Sequence, residues 1–150
     1  MKQAIRWGII GAGTIAHRFA TAVKKLDGME LAAIASRDKG RSEIFGKQYD
    51  VPSEKCYGSY QDLVNDEEID AVYIATLHPF HKEQAILCLE HGKSVLCEKP
   101  VTMNKNEIEE VIRVARQHNV FFMEAMKSRF LPINIQLRKL ISEGIIGDVR

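Results

Sequence analysis

The chain has 150 residues, 27% of them charged, and a formal net charge of +1. This length suits one domain with a real core, and the balanced charge argues against nucleic acid or a membrane surface as main partner. We expect a small-molecule ligand, and because no apolar run approaches the ~18 residues that span a bilayer, we expect a cytoplasmic protein.

Three cysteines, Cys56, Cys88 and Cys97, are odd in number and lack metal-ligand spacing. Free cysteine is frequently buried as a small apolar residue. We therefore predict reduced structural thiols and no metal site.

The first predicted strand, Ala4–Ile10, leads into the run Gly11-Ala12-Gly13-Thr14-Ile15-Ala16 and a predicted helix over Thr14–Leu26. In this context Gly11 makes a tight turn, Gly13 lets the backbone approach a pyrophosphate, and Ala16 packs the helix on the strand. The phosphates would lie at the helix N-terminus, where free N–H groups and the helix dipole favour an anion. The pattern predicts a dinucleotide-binding turn.

The second predicted strand, Leu31–Ser36, is followed by Arg37, Asp38 and a predicted helix over Arg41–Tyr49. An acidic residue closing this strand would bind the ribose 2′-hydroxyl of NAD, whereas Ser36 and Arg37, with the cations Lys39 and Arg41 that follow, suit the 2′-phosphate of NADP. NAD stays an alternative, because a one-residue shift would bring Asp38 to the ribose. A third interpretation is that this loop only caps a helix.

After a predicted helix over Tyr60–Asn65, the third strand, Ala71–Thr76, runs into a loop that holds His78 and His81. Thr76 and both histidines then lie beside the cofactor cleft. A loop histidine is more often a packing residue than a catalyst, so we expect this pair to shape the nicotinamide pocket.

A predicted helix over His81–His91 precedes the fourth strand, Ser94–Cys97, which ends in Glu98-Lys99-Pro100. Strand ends of this kind form the functional edge of parallel sheets. Pro100 favours an extended Lys99, which would aim the ammonium into the cleft, where a desolvated lysine can exchange a proton with a substrate oxygen. The alternative is a solvated ion pair between Lys99 and Glu98.

The chain continues with a predicted helix over Lys105–Gln117, a strand over Val120–Glu124 and a helix over Pro132–Glu143. Strands alternating with helices predict an α/β fold with a doubly wound parallel sheet. We assign residues 1–150 to a dinucleotide-binding domain and expect 144–150 to enter a substrate domain beyond Arg150.

Several of these motifs resemble the glucose-fructose oxidoreductase and inositol dehydrogenase superfamily (Gfo/Idh/MocA), with Glu98-Lys99-Pro100 as the most specific. The runs His78-Pro79-Phe80-His81-Lys82, Met123-Glu124-Ala125 and Arg129-Phe130-Leu131-Pro132 are similar to its dimeric dihydrodiol dehydrogenase branch. The resemblance implies NADP and a Rossmann domain joined to a C-terminal α/β domain.

By the same resemblance, Lys99 lies beside the nicotinamide and the substrate hydroxyl, while a second acid or base comes from the domain beyond Arg150. Lys127 stands where the branch has a tryptophan, so Lys127 and Arg129 are candidates for the substrate side. A homo-oligomer formed through the second domain is also implied.

The expected function is hydride transfer between NADP and a secondary alcohol or carbonyl of a sugar, polyol or diol. One alternative is a non-catalytic NADP(H)-binding or redox-sensing module, because fold does not dictate function. Another is an NAD-dependent glycosidase of the kind found among distant relatives. The residues before Arg150 hold only one wall of the substrate site, so we expect this stretch alone to bind NADP(H) without turnover.

Overall fold

The computed structural model describes residues 4–147. Its strands form a single parallel sheet, and helices connect them along the chain. The strands are β1 (Ile5–Ile10), β2 (Met29–Ala35), β3 (Cys56–Tyr57), β4 (Ala71–Ile74), β5 (Ser94–Cys97) and β6 (Phe122–Glu124). The helices are α1 (Thr14–Val23), α2 (Lys39–Gln48), α3 (Tyr60–Asn65), α4 (His81–Glu90), α5 (Lys105–Gln117) and α6 (Pro132–Ser142).

The strand order is β3-β2-β1-β4-β5-β6, and every neighbouring pair is parallel. The order reverses between β1 and β4, and in open parallel sheets a crevice for ligands forms at such a point, beyond the carboxyl ends of the strands. The predicted doubly wound fold is confirmed.

Helices cover both faces of the sheet, which explains why its central strands are nearly continuous apolar runs. Ala16 and Ala20 of α1 and Phe45 of α2 are buried against one face. Helices α3, α4 and α5 bury their apolar stripes against the other. The three cysteines are free and buried, as predicted, and burial raises the pKa of the Cys88 thiol to about 12, which leaves it unreactive.

The predicted elements are all present, but some bounds differ and one strand was missed. Strand β3 has only two residues, Cys56–Tyr57, too few for a recognisable period, and it exists because it pairs with Ile34 and Ala35 of β2. Helix α2 begins at Lys39 because the Asp38 side chain caps it by accepting from the Arg41 amide.

Helix α6 packs on the turn Lys127–Phe130 and buries none of its own residues. Ile133, Leu137 and Ile141 are exposed along it. After it, the chain turns at Gly144 and Gly147, which adopt positive φ angles of 73° and 72°. Of the stretch 144–150 that we expect to enter a substrate domain, residues 148–150 lie outside the described residues.

A cluster of charged residues lies at the end of the sheet opposite the carboxyl ends of the strands, near the start of β4. The Asp66 carboxylate accepts hydrogen bonds from Lys55 Nζ (2.8 Å) and Tyr57 Oη (2.9 Å), and its other oxygen accepts from the Glu68 amide (3.1 Å). Burial by itself would raise the pKa of Asp66, but these donors outweigh it and hold the pKa below its usual range.

We expect Asp66→Asn to lower the free energy of unfolding by about 1.5–3 kcal/mol at pH 7, as for loss of hydrogen bonds to a charged group. A carboxyl whose pKa is depressed on folding stabilises the protein above its unfolded pKa of about 3.9, and this contribution disappears as the pH falls through the folded pKa. Urea unfolding from pH 7 to pH 3 measures the difference from wild type, which should shrink in acid. Glu68→Gln, at an exposed side chain, is the control with a smaller effect; a loss for Asp66→Asn that is independent of pH would contradict this account.

Candidate functional site

The turn after β1 requires a glycine at its first position. Gly11 has φ +98°, and its amide donates to the Ala35 carbonyl at 2.8 Å. A Cβ atom at Gly11 would lie 2.9 Å from Thr76 Cγ2 and 3.1 Å from the Ala75 carbonyl group. Backbone geometry and lack of space therefore both exclude a side chain here.

Gly13 differs, because the space beside it is open. Its backbone is extended, and a Cβ atom there would meet only the Ala75 carbonyl oxygen, at 4.0 Å. Helix α1 starts directly after Gly13 with no side-chain cap, whereas Asp38, Ser59 and Asn104 cap α2, α3 and α5. The first N–H groups of α1 are thus available to an anion placed over Gly13.

A cleft of about 1020 Å³ runs along the carboxyl ends of β2, β1 and β4. Seven of the predicted cofactor-binding residues line it: Gly11, Gly13, Thr14, Ile15, Ser36, Arg37 and Thr76. Ala16 does not, because it is fully buried beneath the turn, where its small side chain lets α1 approach the sheet. Its predicted packing role is confirmed.

Two guanidinium groups flank the cleft beyond β2. The Arg37 guanidinium carbon lies 5.9 Å from the centroid of the Phe80 ring, a cation–π distance. Arg37, Arg41 and Tyr60 line the same cleft, and although burial raises the pKa of the Tyr60 phenol, the two cations act on that pKa in the opposite direction. Within residues 4–147 neither arginine forms an ion pair, and both are exposed.

Ser36 and Asp38 build the loop that presents Arg37. The Ser36 hydroxyl donates to the Asp38 carbonyl at 2.5 Å and is also bonded to the buried Ser42 hydroxyl at 3.1 Å. The Asp38 carboxylate is used as the cap of α2. Both side chains therefore serve the loop itself, which agrees with the capping interpretation, and direct contact of Ser36 with a phosphate stays a prediction.

The two histidines after β4 lie in different settings, His78 in the loop and His81 at the start of α4. His78 is exposed, while His81 is 1% exposed, with Nδ1 2.9 Å from the Pro100 carbonyl oxygen and Nε2 3.1 Å from that of Thr76. His81 thus joins the end of β4 to the loop after β5. This bonding makes His81 a structural link between the two loops. Thr76, which does line the cleft, donates to Gln84 Oε1 at 2.5 Å.

The segment Glu98-Lys99-Pro100 follows β5 directly, and the Lys99–Pro100 peptide is cis. The Glu98 carboxylate accepts from Tyr73 Oη at 2.5 Å and from the Lys99 amide at 3.2 Å. The Lys99 side chain is exposed and, among the described residues, makes no ion pair with Glu98. The surface ion pair considered from the sequence does not form, and the described residues do not desolvate Lys99.

Lys127 and Arg129 lie on the short turn after β6, and both are exposed. Because β5 and β6 are parallel neighbours, this turn and Lys99 lie at the same edge of the sheet. Neither Lys127 nor Arg129 lines the cleft, and the same holds for His78, His81, Glu98 and Lys99.

Sequence reasoning missed several residues of the site. Tyr60, Phe80 and Gln84 line the cleft, and Glu124 accepts from the Val101 amide at 3.0 Å, behind the Lys99–Pro100 turn. These residues come from separate elements, and no local pattern marks them. Arg41, one of the cations that follow the second strand in the sequence, also lines the cleft.

Over residues 4–147 there is no cluster of three or more His, Cys, Asp or Glu side chains suited to a metal ion. In the same residues, no helix has the length and apolar character needed to cross a bilayer.

Residues 5–126 match the model of the oxidoreductase family with an NAD-binding Rossmann fold. Among curated proteins, the trans-1,2-dihydrobenzene-1,2-diol dehydrogenase of Mus musculus is 46% identical over 150 residues, and that of Xenopus tropicalis is 42% identical. These alignments cover 99% of this chain but 44% and 45% of the relatives. The chain therefore spans less than half the length of these relatives.

Solved structures give the same match. A 3-ketoreductase from Actinomadura kijaniata in complex with NADP and TDP-benzene superposes with a TM-score of 0.89 at 31% identity, covering 99% of this chain and 45% of that one. Scyllo-inositol dehydrogenase from Lactobacillus casei, with bound NAD(H) and scyllo-inositol, gives a TM-score of 0.89 at 30% identity, covering 97% and 43%.

Proposed function

The chain belongs to the oxidoreductase family with an NAD-binding Rossmann fold, and on this basis we propose that it forms the dinucleotide-binding part of an NADP-dependent oxidoreductase. The proposed reaction is hydride transfer between nicotinamide and a secondary alcohol or carbonyl of a sugar, polyol or diol. The observation that carries this proposal is the cleft, with open space over Gly13 and an uncapped α1 at its centre.

The strand order sets how a dinucleotide would lie. Arg37 follows β2, Gly11 follows β1, Thr76 follows β4 and Lys99 follows β5, in the order in which these strands stand side by side. The adenosine end belongs near Arg37 and Phe80, and the pyrophosphate near Gly13 and α1. The nicotinamide end then points towards Lys99.

Arg37 and Arg41 favour NADP over NAD. A 2′-phosphate matches two guanidinium groups that form no ion pair within the described part of the chain, and the carboxylate that would suit a ribose hydroxyl, Asp38, is used as a helix cap. The NADP-bound 3-ketoreductase supports this choice, while the NAD(H)-bound inositol dehydrogenase shows that similar folds accept either cofactor.

We expect Arg37→Ala to weaken NADPH binding by about 10- to 100-fold, because a hydrogen bond to a charged group contributes about 1.5–3 kcal/mol. NADH affinity should change little. Fluorescence titration of both cofactors measures this, with Arg113→Ala on α5 as the control. Equal wild-type affinity for NADPH and NADH would overturn the assignment.

In the proposed reaction, bound nicotinamide supplies or accepts the hydride. Lys99 hydrogen-bonds the substrate oxygen and exchanges its proton. His81 and Glu124 hold the peptide between Pro100 and Val101 and so support the segment that carries Lys99.

Two of the relatives named above are dehydrogenases of ring alcohols, a dihydrobenzenediol and scyllo-inositol, and this supports a ring secondary alcohol or its ketone as substrate. We assign Lys127 and Arg129 to the substrate side, where two cations favour a polar or anionic substrate. Homo-oligomer formation and a cytoplasmic location stay predictions.

A cofactor-binding sensor and an NAD-dependent glycosidase are the competing functions. A panel of carbonyls, polyols and glycosides tested with the full-length protein separates them by absorbance of NADPH. Net NADPH oxidation or NADP reduction supports the oxidoreductase. Tight binding without turnover, or glycoside cleavage without net change in cofactor, would each overturn it.

A further inference from the structure

Tyr73 lies on β4 with its ring in the core and its hydroxyl at the candidate site. The residue is 3% exposed, and its ring stacks on Phe19 of α1 with centroids 3.9 Å apart and an interplanar angle of 13°. Its hydroxyl donates to Glu98 Oε1 at 2.5 Å. The ring is therefore fixed by packing, and the hydroxyl has one defined direction.

Glu98 connects this phenol to the backbone of Lys99. Its Oε1 is held by Tyr73, its Oε2 accepts from the Lys99 amide at 3.2 Å, and its own amide donates to the Ile74 carbonyl at 3.0 Å. A half-buried carboxylate needs such donors, because burial without hydrogen bonds is costly. Glu98 thus ties the first residue after β5 to β4.

We propose that Tyr73 is a positioning residue for Lys99: by holding the Glu98 carboxylate against the Lys99 amide, it fixes the backbone from which the Lys99 side chain projects. This inference rests on the proposed function, in which Lys99 contacts the substrate. Other contacts fix the far side of the turn, where His81 meets the Pro100 carbonyl and Glu124 meets the Val101 amide. Tyr73 acts on the near side.

The phenol is suited to this role over the whole useful pH range. Burial and the hydrogen bond to Glu98 both raise the pKa of Tyr73 well above its usual value. The hydroxyl therefore stays protonated and keeps donating to Glu98 when the solution is alkaline.

Tyr73→Phe tests the proposal, because it keeps the stacked ring and removes only the hydroxyl. In the full-length protein we expect kcat to fall about tenfold, as for loss of one charged hydrogen bond, with NADPH affinity within about twofold of wild type. Tyr49→Phe is the matched control, because it also removes a hydrogen-bonded tyrosine hydroxyl, which lies 2.9 Å from His17 Nδ1 of α1. This hydroxyl lies far from β5 along the sheet, so kcat should not change.

A double variant separates positioning from simple packing. If Tyr73 acts through Glu98, Tyr73→Phe should have no further effect on kcat in a Glu98→Ala background. The same tenfold fall in both backgrounds, or an unchanged kcat in Tyr73→Phe when the wild type is active, would overturn the proposal.

The position of the Lys99 backbone can also be measured in a protein that has no enzymatic activity. With selective ¹⁵N-lysine labelling, and the Lys99 amide assigned through Lys99→Arg, we expect Tyr73→Phe to shift the Lys99 amide resonance while Tyr49→Phe leaves it in place. An unmoved Lys99 resonance would refute the positioning role even in a protein with no activity. Absent turnover with a shifted resonance would instead refute only the proposed function.

Discussion

Replacing Lys99 with methionine is expected to lower kcat of the full-length protein by about 10²–10⁴-fold while NADPH affinity stays near wild type, as for loss of a proton-transfer group. Lys99 follows β5 at the functional edge of the sheet, with an exposed ammonium and no ion pair to Glu98 among the described residues. Its charge is thus available to a substrate oxygen. The backbone at Lys99 is held through Glu98 and Tyr73, so the variant should remain folded.

Two comparisons make this result specific. Lys99→Arg keeps the positive charge but binds its proton too tightly to exchange it, so we expect kcat to stay low if proton transfer is the role. Lys105→Met, at an 83% exposed lysine side chain on α5, should leave kcat unchanged. Steady-state kinetics with saturating NADP measure all three, and near-normal kcat in Lys99→Met would reduce Lys99 to a surface residue.

Gly13→Val is expected to abolish NADPH binding in a protein that still folds. The Gly13 backbone is extended, which valine tolerates, and within residues 4–147 a Cβ atom there meets nothing nearer than the Ala75 carbonyl oxygen at 4.0 Å, apart from its chain neighbours. The added methyl groups would therefore enter only the space assigned to the pyrophosphate. Fluorescence titration measures the binding, and thermal unfolding followed by circular dichroism measures the fold.

Gly11→Val provides the contrast within the same turn. Gly11 has φ +98°, and a Cβ atom would lie 2.9 Å from Thr76 Cγ2, so this variant should lose stability as well as binding. If Gly13→Val retained NADPH affinity, the phosphate would have to bind elsewhere. If it unfolded like Gly11→Val, the open space beside Gly13 would be wrongly assigned.

The sequence by itself determined the order of elements, the parallel sheet and the position of the binding turn. These features depend on local patterns: apolar runs bounded by turn residues, helical spacing of apolar residues, and glycines between a strand and a helix. The placement of Lys99 was predictable for the same reason. A residue that directly follows a buried parallel strand must emerge at the carboxyl edge of the sheet, whatever the details of packing.

Only the tertiary structure decided which side chains meet. Strand β3 exists through its pairing with β2, and Tyr60 and Phe80 reach the cleft from α3 and from the turn before α4. His81 is buried between two carbonyls, and Tyr73 meets Glu98 from 25 residues away. Such contacts join residues that are distant in the chain, and they depend on sheet register, twist and helix packing, whereas the periodicity of a sequence encodes only which face of each element is buried.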